Sequence, residues 1–138
     1  MRIRFRIALA ALAALASVFA VGTPALAGTS RNSDTVWITA GNGTILCTAI
    51  LIVRDSDGYV MGRFQSVDLG SGTQKCAGWL ERKVTGSGGY DWTPVSDTYV
   101  VNAYTKSTGW HWNGTNAGSR VCLENLTTWE MACSTGVW

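Results

Sequence analysis

The residues best equipped for chemistry are one histidine, four cysteines and a set of loop aromatics. His111 is the only histidine, and it is flanked by Trp110 and Trp112. A catalytic use would make it a general acid or base, helped by a carboxylate such as Glu81, Glu124 or Asp91. Tyr90, Trp92, Trp110 and Trp112 lie in segments rich in turn residues. Flat aromatic faces of this kind stack on sugar rings and anchor protein interfaces. The same residues could instead fill the core of a small domain.

Other chemistries find less support. Glu81-Arg82 beside a single histidine invites comparison with small microbial ribonucleases, but none of that family's motifs is present and the helix it needs is missing. Asp55-Ser56-Asp57-Gly58 lacks the flanking helices and the distal bidentate Glu of a calcium loop, so a β-turn is expected there. No G-x-S-x-G elbow occurs. A zinc site is a poor fit to one histidine and no C-x-x-C pair. Neither metal nor cofactor is expected.

Cys47, Cys76, Cys122 and Cys133 read as two disulfides, because an even count in a short exported domain is a disulfide framework. Three connectivities are open, and the local pairs Cys47–Cys76 and Cys122–Cys133 are favoured. A hairpin centred between Thr127 and Thr128 sets Cys122 directly opposite Cys133, where a bridge can close.

Export is expected from the first 27 residues. Arg2, Arg4 and Arg6 precede an apolar run from Ile7 to Val21, and Ala25-Leu26-Ala27 supplies an A-x-A cleavage site. The run is shorter than the roughly 20 apolar residues of a membrane span. The expected product is secreted and extracellular, and free of the membrane once the leader is cut. Three of the 11 basic residues leave with the leader, so the nine acidic residues face eight basic ones. A near-neutral domain without a Lys/Arg run gives no electrostatic reason to expect nucleic acid or an anionic membrane as partner.

The elements that position these residues are strands. Period-two alternation and glycine turns dominate after Gly28, and no helical period is present. Residues 28–34 read as a flexible arm and 35–138 as one disulfide-stapled domain. Thr35–Thr39, Ile45–Val53, Tyr59–Val67, Trp79–Val84, Thr98–Thr105, Ser119–Asn125 and Trp129–Ser134 read as strands, with Ile45–Val53 central and covered on both sides. Asn42-Gly43 marks a hairpin turn. The sequons at Asn42, Asn113 and Asn125 read as turn chemistry. The expected fold is all-β: a single small antiparallel β-sandwich or barrel of about eight short strands with two disulfides.

The sequence therefore favours a secreted, non-enzymatic protein-interaction module. Such a module would be an inhibitor, or an adaptor or accessory subunit of a larger secreted complex such as a toxin. Its partners would be other secreted or cell-surface proteins, bound through Tyr90, Trp92, Trp110, His111 and Trp112. A lectin-like carbohydrate binder is the second reading, and a small secreted hydrolase the third.

Overall fold

A computed structural model describes residues 29–67, 74–85 and 91–137. The expected leader at 1–27 and Tyr90 lie outside the described residues.

Two antiparallel sheets face each other. The first is built from β1 (Ser30–Thr39), β2 (Ile45–Arg54), β3 (Tyr59–Ser66) and β7 (Thr105–Ser107) in that order, with β8 (His111–Trp112) also on β3. The second runs β10 (Met131–Cys133), β9 (Ala117–Asn125), β4 (Lys75–Val84) and β5 (Thr93–Pro94), with β6 (Tyr99–Asn102) also on β4. The expected sandwich is thus present, with ten strands among the described residues against about eight expected, several of them only two to four residues long. Among the described residues no helix is long and apolar enough to cross a membrane.

The alternating pattern dictates which face each strand buries. Ile38, Cys47, Ala49, Leu51, Val60 and Phe64 point inward from the first sheet, and Cys76, Leu80, Val101, Val121 and Leu123 from the second. Phe64 is the largest of them, and two glycines make room for its ring. A Cβ on Gly78 would sit 2.3 Å from the Phe64 ring and one on Gly62 2.7 Å from it, so neither position tolerates a side chain. Across the gap Phe64 stacks on Tyr99, with centroids 6.3 Å apart.

Both expected disulfides are formed. Cys47–Cys76 joins β2 to β4 and so staples one sheet to the other. Cys122–Cys133 closes the β9–β10 hairpin in the expected register, Cys133 opposite Cys122 and Met131 opposite Glu124. In the chain-entropy account, loops of 29 and 11 residues each remove roughly 3 kcal/mol of unfolded-state freedom.

Four expectations are corrected. Residues 30–34 are not a loose arm: Ser30, Arg31, Asn32 and Asp34 pair with Arg54, Val53, Ile52 and Leu51. Arg31 also bonds Asp55, and Asp34 accepts hydrogen bonds from Thr135 Oγ1 at 2.9 Å and Gly136 N at 3.0 Å. The polar side chains there suit an edge strand, whose backbone is satisfied by the ladder rather than by a core. The strand expected at Thr98–Thr105 is two strands in different sheets. Between them Ala103 takes a left-handed φ of 57°, held by its N–H donating to Ser66 Oγ at 2.8 Å. The strand expected from Trp129 starts at Met131, because Trp129 also has a left-handed φ, 60°. Finally, β2 is central within its sheet, but of its outward residues Thr48 and Ile50 are half-buried while Ile52 is buried, so that face is covered only in part by the described residues.

Candidate functional site

Trp110, His111 and Trp112 follow a short strand break that Thr108 organises. Thr108 is buried; its N–H donates to Gly62 O, and its Oγ1 accepts from Gly62 N and donates to Gly109 O. This anchor sets β8 on β3 with Trp112 opposite Tyr59 and His111 opposite Val60. Val60 faces the core, so strand alternation turns half-buried His111 inward and Trp112 outward. Trp112 is 55% exposed, while its carbonyl accepts from Arg82 Nη1 at 3.1 Å.

The outer face of the first sheet can be read as lateral rows. Trp37, Thr48, Gln65 and Thr105 form one, and Thr35, Ile50, Arg63 and Ser107 the next. Ile52 and Met61 follow, then Arg54, Tyr59 and Trp112. Trp37 is 54% exposed, so the first and last rows each end in an open indole. The first and last rows stand about 20 Å apart along the strands.

Arg54 organises the Trp112 end. Its guanidinium carbon lies 4.6 Å from the Trp110 ring centroid and 5.0 Å from that of Tyr59, while Nη2 pairs with Asp57 Oδ2 at 2.7 Å. Each of these contacts favours the cation. The Arg54 hydrogen bond, reinforced by the Tyr59 N–H, holds the Asp57 carboxyl below the usual carboxylate range. The bond to Asp57 likewise raises the pKa of Arg54. Asp57 is therefore ionised and supports the arginine, and the Asp55–Gly58 segment is the expected turn, with Gly58 at φ 71°.

Trp92 belongs to a different assembly, on the outer face of the second sheet. Its ring lies 4.5 Å from the guanidinium of Arg120, whose Nη2 and Nε each reach Glu81 Oε2 at 2.7 Å. Trp79 Nε1 donates to Glu81 Oε1 at 2.8 Å. Glu81 is buried, and its neighbours beneath are Cys122 and Cys133. This carboxylate and the two sulfurs are the grouping among the described residues with metal-ligand spacing. The sulfurs are bonded to one another, however, so neither is a thiolate able to ligate an ion. The structure thus brings Trp110, His111 and Trp112 together on the first sheet and sets Trp92 on the second.

Several surface residues were not singled out in the sequence. Trp37 carries no local signal, since it alternates with Val36 and Ile38 as any strand residue does. Arg54 and Tyr59 flank a turn and look like ordinary strand ends. Trp129 is 71% exposed and Met131 62% exposed at the β9–β10 tip. Beneath that tip Asn125 is fully buried, its Oδ1 accepting from Thr127 N and Thr128 N. Asn113 is engaged in the same manner, donating to Ala117 O and accepting from Ser119 Oγ. Both amides are spent on turns.

Fold and surface together define a two-sheet antiparallel sandwich with two disulfides and tryptophans on both outer faces. No protein-family model, no curated protein and no solved structure matches the chain.

Proposed function

We propose that the chain is a secreted, non-enzymatic binding module whose outward first-sheet face docks on another secreted or cell-surface protein. The observation that carries this reading is the pair of half-exposed indoles, Trp37 and Trp112, at opposite ends of one rigid face. Between them lie Ile50, Met61, Tyr59, Trp110, Arg54 and Arg63. Tryptophan, tyrosine, methionine and arginine are the residue types enriched where proteins meet. Such residues are costly to leave in water unless a partner covers them. The face is broad because several paired strands carry it, which suits a protein surface better than a small substrate.

An inhibitor and an accessory subunit of a larger secreted assembly both use a surface of this kind. Stapling suits either role. With the sheets joined through Cys47–Cys76, the face loses little conformational freedom on binding.

The test is affinity capture from the secreted proteins of the producing cell, with the mature chain as bait and its Trp37→Ala and Arg63→Glu variants as controls. Capture of a defined protein that both variants lose, with unchanged circular dichroism, supports the reading. Capture indifferent to both substitutions ends it.

A further inference from the structure

We infer that the chain has a second ligand site, for a neutral saccharide, at the end of the sandwich beside Trp112. A concavity of about 460 Å³ opens there, lined by Thr85, Asn113, Gly114, Asn116 and Ala117. That volume lies within the usual range for small-molecule sites, at the scale of a sugar unit or two.

The lining gives the chemistry. The Thr85 hydroxyl, the Asn116 carboxamide, a glycine backbone and a methyl group line the space beside Asn113, and none of these five residues is ionisable. Such a set pairs with hydroxyl groups and offers nothing to balance a charge. Trp112 supplies the stacking surface. Its ring edge is 3.8 Å from where a Gly114 Cβ would stand, so the half-exposed indole stands beside a residue that lines the concavity. The C–H face of a pyranose lies well on such a ring while its hydroxyls reach the amides.

The frame is built to hold this shape. Gly114 has φ 88° and Asn116 φ 56°, so the turn carrying both is left-handed at two positions. Thr85 N donates to Asn116 O at 2.8 Å, which ties the end of β4 to that turn. Asn113 N donates to Gly58 O, and its side chain is fastened to Ala117 O and Ser119 Oγ. Arg82 holds the Trp112 carbonyl. Asn113 therefore shapes the wall, while the exposed Asn116 and Thr85 carry the polar groups that would meet the sugar.

This site shares Trp112 with the protein-docking face, but Asn116 and Thr85 lie outside that face. The experiment is ¹H–¹⁵N NMR titration of the mature protein with cellobiose, N,N′-diacetylchitobiose and maltose. Glucuronic acid and glucose 6-phosphate are the charged controls. Additions run to about 10 mM, where even a weak millimolar site is mostly filled. At least one neutral sugar should shift the Trp112 indole N–H together with the Asn116 and Thr85 amides. Thr85→Val keeps the side-chain shape, and Asn116→Gly keeps the left-handed backbone; each should weaken binding by about tenfold. Trp112→Ala should abolish it. The inference is overturned if no neutral sugar shifts these signals, if only the charged sugars do, or if Thr85→Val and Asn116→Gly bind as the parent does. Because Trp37→Ala leaves this site whole, it should bind sugar normally, so failure here and failure of the docking face are told apart.

Discussion

The two outer faces of the sandwich use the same three kinds of side chain to opposite ends. On the second sheet, Trp92 covers Arg120, which grips Glu81, which also accepts from Trp79. On the first, Trp110 and Tyr59 cover Arg54, which grips Asp57. Glu81 is buried over a disulfide, whereas Asp57 sits in an exposed turn. The first arrangement is closed and holds the sheet together. The second leaves its carboxylate in water, although Trp110 and Tyr59 are half-buried as Trp92 is. Tryptophan beside arginine beside an acid is thus not in itself a signature of binding; what decides is whether the carboxylate is sealed from water.

The contrast is broken most sharply at the carboxylates. Glu81→Ala leaves the Arg120 guanidinium and the Trp79 indole N–H without their acceptor, and should cost about 3 kcal/mol of unfolding free energy in urea melts. Asp57→Ala should cost far less, as the loss of an exposed ion pair does. Equal losses would erase the distinction between the two faces.

The indoles give a smaller difference. Trp92→Ala should lower stability by about 2 kcal/mol, from lost packing and a lost cation–π contact. Trp112→Ala should lower it by less than about 1 kcal/mol, since its ring is half in water. Thermal midpoints of the two variants check this, and a larger drop for Trp112→Ala would mean that it is a packing residue.

The smallest effect is titration. Burial raises the pKa of Asp34, but hydrogen bonds from Gly136 N, Thr135, Thr35 and Ser134 outweigh it, leaving the folded value below the ordinary one. Asp57 is lowered by Arg54. A depressed folded pKa stabilises fully above the unfolded value near about 3.9 and fades as pH falls through the folded value. Stability should therefore be flat from neutral pH to about 5 and decline below about 4. An Asp34→Asn variant should flatten part of that acid limb, read by denaturant midpoints across pH.

Much of the frame was legible in the chain. Cys122 and Cys133 could be set opposite each other by counting from the turn, because a hairpin's register follows from its centre. The hairpin turns at Asn42-Gly43 and Asp57-Gly58 announced themselves through residues that accept positive φ, and both glycines adopt it. Ala103 did not: an alanine at φ 57° breaks a clean alternation only because Ser66, 37 residues away, supplies an acceptor. Trp129 hid its exposure for the same reason, being left-handed without a glycine's licence. The aromatic site was half legible. Alternation places Trp110 and Trp112 on one face and His111 on the other, but nothing local separates them from Trp92. That separation comes from Arg120 meeting Glu81 across 39 residues and from Arg54 reaching Trp110.

The carboxylate of Asp34 has one more consequence, for the order in which the molecule can be made. It grips Thr135 and Gly136 across 101 and 102 residues, and Val137 pairs with Ser119 just beyond. A chain emerging from its amino end therefore cannot complete this latch on β1 until Gly136 has emerged. Until then β1 holds only by its ladder to β2. A chain cut after residue 134 would keep both disulfide pairs and nearly every strand described, yet leave Asp34 without Thr135 and Gly136.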